Sequence, residues 1–250
     1  LFERVGRGLM LTPAGHELLA HVRRMGEAAT HMSLTAAGRS QSIEGLVRIS
    51  ATDIYASALL PRFVARLRSL EPRVRVEVIT TNNFSDLRRR EADIAIRNAP
   101  PTQPDLIARK IAQARANLYA SNSYMAANGP FRSPGDLNRA DFVEMDASLK
   151  GADTLNAAFG LSLARENFPV VSENMQVAWE LVKQGAGIGI MDEHIGENEP
   201  LVQRALPTLS PITFPIWLVA HRELTSSRRL RRVFDLLVKY LIDEKKDGRA

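Results

Sequence analysis

The chain has 250 residues, of which 45% are hydrophobic, so it can bury a core as one large domain or as two smaller ones. It contains no cysteine, which excludes disulfides, thiol nucleophiles and cysteine-ligated zinc or iron–sulfur centres. The net charge of +5 permits contact with nucleic acid, and because no apolar run reaches the roughly 18 to 20 residues of a membrane span, we expect a cytoplasmic protein.

The first element in chain order is a short basic hairpin. Residues 2–5 and 9–11 are apolar-rich runs, and the Gly6-Arg7-Gly8 segment separates them. Its glycines can adopt the positive φ that tight hairpin turns need. Such a hairpin places Arg4 and Arg7 on an exposed ribbon.

A long helix is predicted to follow the hairpin. Thr12 is a good N-cap, and Pro13 suits the first helical position, where its missing N–H costs nothing. Further along, apolar residues recur at spacings of four and three, which is the heptad pattern of a coiled coil. The seam comprises Leu18, Val22, Met25, Ala29, Met32 and Ala36. We therefore predict dimerisation through this helix; the alternative is an ordinary amphipathic helix lying on its own domain.

A polar segment with a glycine at each end, residues 38–45, predicts a hinge and a domain boundary. The elements predicted after it are a strand at 46–50, a helix at 57–70, a strand at 74–79, a helix at 85–90 and a strand at 93–97. Because strands and helices alternate with short connections, we expect a mainly parallel sheet with helices on both faces. Ligands bind at the carboxyl ends of the strands in such sheets.

The second half of the chain predicts another set of alternating elements. They are strands at 116–120, 142–145, 169–172, 188–191 and 214–220, and helices at 133–137, 154–159, 175–184 and 227–242. Gly185 fits the C-terminal cap of its helix. The two sets together predict two α/β lobes.

Catalytic and cofactor motifs are absent from the sequence. It has no HExxH, no GxSxG and no phosphate loop. His16 and His21 are five residues apart, about 140° around a helix, so they cannot share a metal. The glycines at 185, 187 and 189 follow a predicted helix and precede a strand, which is the reverse of a dinucleotide-binding loop. We expect no metal, no cofactor and no enzymatic activity.

Four segments make the chain resemble the LysR-type transcriptional regulators: LFERVGRGLMLTPAGHELL, GLVRISATDIYASALLPRF, EADIAIR and ELVKQGAGIGIM. The resemblance implies an α/β, two-lobed effector domain like the type 2 periplasmic solute-binding proteins. A long linker helix and the wing of a winged helix-turn-helix would precede it. The implied divisions are the wing at 1–12, the linker helix at 13–41, lobe I at 45–118 and 224–246, and lobe II at 119–223. We expect the base-reading helix to lie upstream of Leu1.

Polar residues cluster where predicted strands end and helices begin. They offer hydroxyls, amides and carboxylates beside helix N–H groups, which suits a small polar or anionic molecule, although such residues also serve simply as N-caps. The resemblance implies that these stretches line an effector cleft. The predicted effector-binding residues are Thr52, Asp53, Ile54, Thr80, Thr81, Asn82, Arg97, Ser172 and Asn174. An unpaired Asp53 carboxylate would disfavour an anionic effector unless Arg97 reaches it.

The function that the resemblance implies is regulation of transcription by a metabolite bound between the lobes. The implied partners are promoter DNA, through the full-length protein, a small-molecule effector, and further copies of the chain as a homodimer or homotetramer. Arg4 and Arg7 would contact DNA phosphates. Two alternatives stay open: a solute-binding protein of a transporter, and an enzyme on the same two-lobed scaffold.

Overall fold

The computed structural model describes residues 1–5, 8–15, 18–19, 21–22, 25–26, 43–81, 92–103, 106–145, 150–221 and 227–247. Several predictions concern residues outside these ranges. They are the predictions for Arg7, Ala29, Met32, Ala36, Asn82, the helix at 85–90 and most of the hinge at 38–45.

The N-terminal hairpin and the helix start that follows it are confirmed. Strand β1 (Phe2–Val5) pairs antiparallel with β2 (Gly8–Leu11), and Val5 lies opposite Gly8. The Thr12 hydroxyl accepts a hydrogen bond of 3.1 Å from the Gly15 N–H, as an N-cap does. The described residues from 13 to 26 are helical. We call this segment the N-terminal helix.

Three parallel strands form the centre of the first lobe. Strand β3 (Gly45–Ala51) lies between β4 (Val74–Thr80) and β5 (Ile94–Arg97) and runs parallel to both. This part of the sheet matches the predicted parallel order. Lobe I here denotes these strands with helices α1, α2 and α8, whose bounds follow.

The prediction of one helix at 57–70 is wrong at its start, because two helices occupy this region. Helix α1 (Asp53–Ala58) begins directly after β3, and α2 (Leu60–Leu70) follows a break at Leu59. The break has a local cause. Pro61 lies in the first turn of α2 and has no N–H to continue the hydrogen bonding of α1.

Two long antiparallel strands connect the lobes. Strand β6 (Leu106–Ser121) pairs with β11 (Ile212–His221) over the length of β11, and β11 also pairs with β5. The shorter strands β9 (Gly189–Asp192) and β10 (Val202–Arg204) pair with β6. Among the described residues, seven strands thus form one mixed sheet. The expectation of a mainly parallel sheet is wrong beyond the first three strands, because the two crossing strands run antiparallel.

The second lobe consists of short elements around its own core. Lobe II contains helices α3 (Asn122–Asn128), α4 (Pro134–Leu137), α5 (Lys150–Phe159), α6 (Met175–Lys183) and α7 (Glu193–Glu197), a 3₁₀ turn (Arg165–Asn167), strands β7 (Val143–Glu144) and β8 (Val170–Val171), and β9 and β10. In its core, the rings of Phe142 and Phe168 lie 5.7 Å apart between centroids. The sequence predicted α4, α5 and α6 but missed α3, α7 and β10.

The glycines between α6 and β9 have separate structural roles. Gly185 has a φ of +88° and its N–H donates to the Val182 carbonyl at 3.0 Å, so it ends α6 as predicted. A Cβ on Gly189 would lie 2.5 Å from Val182 Cγ2, so this glycine lets the strand approach the helix. These glycines follow a helix and precede a strand. In a dinucleotide-binding loop the glycines follow a strand and precede a helix.

The last helix, α8 (Arg228–Asp247), returns to lobe I. The ring of Tyr240 lies 5.6 Å from that of Phe63 in α2, centroid to centroid. The apolar spacing of α8 predicts Leu230, Val233, Phe234, Leu237 and Leu241 as its inward residues. All of them are buried except Phe234, which is half-buried. Within the part of the chain that the structure describes, no helix combines the length and apolarity needed to cross a bilayer.

Candidate functional site

A cavity of about 300 Å³ lies between the two lobes. Its walls come from the start of α1 and the residue after β5 in lobe I, from β9 and the start of α6 in lobe II, and from both crossing strands. The lining residues are Thr52, Ile54, Tyr55, Asn98, Ala116, Met145, Met175, Ile190, Met191, Asp192, Ile212 and Phe214. The volume lies at the lower end of the range of small-molecule sites in proteins, roughly 300 to 1,000 Å³.

Thr52 lines the cavity, and its hydroxyl makes no hydrogen bond within the part of the chain that the structure describes. Thr52 occupies the N-cap position of α1, yet its side chain makes no capping hydrogen bond. Its Oγ1 atom is buried and has no hydrogen-bond partner among the described residues. A buried hydroxyl without a partner is energetically unfavourable. Because Oγ1 has almost no accessible surface, it does not face the open space of the cavity.

Tyr55 and Asp192 both line the cavity and form a hydrogen bond between the lobes. The Tyr55 hydroxyl donates to Asp192 Oδ2 at 3.0 Å, and Asp192 Oδ1 accepts a 2.9 Å bond from the His194 N–H. Burial raises the pKa of Tyr55 well above its ordinary value, the negative charge of Asp192 raises it further, and a side-chain hydrogen bond with Asn98 acts in the opposite direction. The phenol therefore stays protonated and remains a donor.

Asp53 forms a second contact between the lobes. Its Oδ1 accepts from the N–H of Ile54 at 2.9 Å, and its Oδ2 accepts from the N–H of Met175 at 2.8 Å. Met175 is the first residue of α6, so the carboxylate lies at the positive end of a helix in the other lobe. Close by, the Ser57 hydroxyl donates to Gln176 Oε1 at 2.6 Å. The start of α1 is thus bonded to the start of α6 across the cleft.

Arg97 lies beside a different cavity. Its guanidinium donates to the Ser50 hydroxyl at 2.8 Å and to the Ile96 carbonyl at 2.8 Å, and its side chain is buried. It lines a cavity of about 240 Å³ together with the segment from Ala99 to Gln103. Arg97 thus lines this second cavity, whereas Thr52 and Ile54 line the one between the lobes.

The remaining predicted residues occupy capping and strand-end positions. Thr80 is exposed at the end of β4, and the Thr81 N–H bonds to the Ala51 carbonyl at 3.0 Å. The Asn174 side chain caps α6 by accepting from the Val177 N–H at 2.9 Å. The Ser172 hydroxyl donates to the Asn174 carbonyl at 3.2 Å. Of the nine predicted effector-binding residues, Thr52 and Ile54 line the larger cavity.

Sequence reasoning missed most of the cavity lining. Asn98 follows β5 and Asp192 ends β9, so the rule that selected Thr52, polar residues at strand ends, could also have found them. The apolar lining residues carry no such signal, because in a sequence they cannot be distinguished from core residues. The described residues contain no group of three or more His, Asp or Glu side chains placed to hold a metal ion.

Comparison with known proteins gives the family. Residues 40–241 match the LysR substrate binding domain. The chain belongs to the LysR-type transcriptional regulators. The HTH-type transcriptional regulator DgdR of Burkholderia cepacia is 30% identical over 222 residues, which are 85% of this chain and 69% of that protein. CrgA of Neisseria meningitidis serogroup C (strain 8013), also an HTH-type transcriptional regulator, is 23% identical over 248 residues, which are 96% of this chain and 82% of that protein.

Solved LysR structures share the fold. The full-length structure of AphB, a Vibrio cholerae virulence activator, superposes with a TM-score of 0.70 at 19% identity, covering 97% of this chain and 83% of that one. The CrgA regulatory domain of Neisseria meningitidis superposes with a TM-score of 0.68 at 22% identity, covering 79% and 99%. The two-lobed α/β fold expected for a LysR effector domain is confirmed.

The bond from Tyr55 to Asp192 predicts an alkaline pH dependence. Since burial and Asp192 raise the pKa of Tyr55 in the folded state, the wild type loses stability as pH rises above about 10, the pKa in the unfolded chain. Tyr55→Phe should be about 1 to 3 kcal/mol less stable at pH 8, because Asp192 loses a donor. Above pH 10 this difference should shrink by about 1.4 kcal/mol per pH unit. Urea unfolding from pH 8 to 11 measures it, and a constant difference would contradict the assignment.

Proposed function

We propose that this LysR-family chain is a regulator that binds a small-molecule effector in the cavity between its lobes and alters promoter binding in response. The observation that carries the proposal is that both lobes line the cavity: Thr52 and Asn98 come from lobe I, and Met175 and Ile190 from lobe II. A molecule that contacts both walls stabilises one arrangement of the lobes over others. Proteins use such a shift to couple a bound ligand to a second site.

The N-terminal hairpin supports a role in DNA binding. Arg4 is exposed on β1, and we propose that Arg4 and Arg7 contact DNA phosphates in the full-length protein. Such contacts add affinity that falls with salt and carries little base specificity. The hairpin and the helix after it favour a regulator over a solute-binding protein of a transporter. We propose a cytoplasmic location, because a regulator must share a compartment with its promoter DNA.

The N-terminal helix supports self-association. Leu18, Val22 and Met25 lie four and three residues apart, and their exposed fractions are 44%, 53% and 72%. Large apolar side chains in a row on one helix face are buried when a second copy pairs with it. Ala29, Met32 and Ala36 continue the spacing in the sequence. We propose that this seam holds a homodimer, within a homodimeric or homotetrameric assembly.

The proposal assigns a binding function without catalysis to the cavity. Its polar groups are a hydroxyl, an amide, a phenol and a carboxylate, and the last two are bonded to each other. The domain bounds proposed from the resemblance are the wing at 1–12, the linker helix at 13–41, lobe I at 45–118 with 224–246, and lobe II at 119–223. The boundary between lobe I and lobe II, at residues 118 and 119, falls within the continuous strand β6.

The seam can be tested by sedimentation velocity at micromolar concentration. Met25→Glu should raise the dimer dissociation constant at least about tenfold, because a carboxylate would be buried in the seam. Arg24→Glu is the matched control, since the heptad pattern places Arg24 on the polar face, and it should leave the dimer intact. A wild-type monomer, or equal effects of the two substitutions, would contradict the seam.

The cavity can be tested with a thermal-shift screen of metabolites. A ligand that binds the native state alone raises the apparent melting temperature. Ile190→Trp should abolish the shifts, because the larger ring fills the cavity that Ile190 lines. Val177→Trp adds the same ring at a position that is 49% exposed, and should keep them. Stabilising ligands that survive Ile190→Trp would show that the effector binds elsewhere.

A further inference from the structure

We infer that the effector is an uncharged and largely apolar molecule, about the size of a substituted single aromatic ring. The inference rests on the proposed function and names the ligand class of the same cavity. It reverses the expectation of a small polar or anionic ligand that the sequence suggests. Four features of the structure support it.

The first feature is the apolar lining. Eight of the twelve lining residues are apolar: Ile54, Ala116, Met145, Met175, Ile190, Met191, Ile212 and Phe214. Three of them are methionines, whose flexible, polarisable side chains adapt to apolar and aromatic partners. A sugar or a dicarboxylate would leave most of its polar groups without partners here, at a cost in binding free energy.

The second feature is the charge of the wall. The described lining contains no lysine, arginine or histidine, and its one charged side chain is Asp192. An anionic ligand would therefore find no counter-charge and would face a buried carboxylate. Burial of an unpaired charge is strongly unfavourable.

The third feature is that Asp53 already occupies the position where an anion would bind. The N-terminus of α6 presents N–H groups and the positive end of a nine-residue helix to the cleft. Asp53 takes the N–H of Met175, and the Asn174 side chain takes the N–H of Val177. The chain thus supplies its own carboxylate to this helix, and a carboxylate on the ligand would compete with it.

The fourth feature is that the polar groups of the wall are bonded or buried. The Tyr55 hydroxyl and Asp192 are bonded to each other, and Thr52 Oγ1 has almost no accessible surface. A ligand with many polar groups would therefore find few partners in the described wall. The size follows from the volume of about 300 Å³. A cavity of about 150 Å³ holds benzene, so one ring with substituents fits.

A series of probes with one ring and different charges tests the class. Benzyl alcohol is neutral with one hydroxyl, toluene lacks the hydroxyl, benzoate is an anion and benzylamine is a cation at neutral pH. NMR titration that follows the methyl groups of Met145, Met175 and Met191 reports directly on the cavity that they line. Benzyl alcohol and toluene should each bind at least tenfold more tightly than benzoate or benzylamine.

One substitution tests the role of Asp53. Asp53→Asn should strengthen benzoate relative to benzyl alcohol, because it removes the competing carboxylate from α6.

The outcomes separate this inference from the function on which it rests. Benzoate or benzylamine binding in the cavity as tightly as benzyl alcohol would overturn the ligand class, while leaving a ligand-sensing cavity in place. A benzoate affinity, relative to benzyl alcohol, that Asp53→Asn does not change would contradict the role of Asp53. If no probe perturbs the three methionines, the ligand class is wrong. The proposed function fails only if the metabolite screen also finds no ligand that Ile190→Trp abolishes.

Discussion

The cleft between the lobes depends on one carboxylate, that of Asp53. Asp53 begins α1 in lobe I, and its Oδ2 accepts the N–H of Met175, which begins α6 in lobe II. The interaction combines a hydrogen bond to a charged acceptor with the favourable field of a helix N-terminus, each of which exceeds an ordinary surface contact. It fixes the two walls of the cavity relative to each other. It also removes the most attractive position for an anion from the ligand site.

The crossing strands explain how such a cleft can respond to a ligand. Strands β6 and β11 are the described connections that run from lobe I to lobe II, and their antiparallel pairing keeps the lobes in register. Near Ile216 and Trp217 this register shifts, which locally bends a strand pair. The lobes are therefore held together by a bent ribbon on one side and by side-chain bonds on the other, from Asp53 and Tyr55. A ligand that contacts both lobes can favour one arrangement of them over others.

Local patterns in the sequence predicted much of the fold and a small part of the site. The parallel strands of lobe I, the cap at Thr12 and the end of α6 at Gly185 follow from neighbouring residues, and the structure confirms them. The first half of β6 was missed because charged residues such as Arg109 and Lys110 interrupt its alternation, and its partner β11 lies about a hundred residues further along. The partner of Asp53, Met175, lies 122 residues further along the sequence. No local pattern shows that this carboxylate faces a helix instead of a ligand.

The most direct test of the central claim is amide hydrogen exchange at Met175, measured by NMR in the native state. If the Asp53 carboxylate holds this N–H, Asp53→Ala should speed its exchange by about tenfold or more, because the acceptor is lost. The Val177 amide, bonded to Asn174 in the same helical turn, is the internal control and should change little. An unchanged Met175 exchange rate in Asp53→Ala would contradict the contact on which the cleft depends.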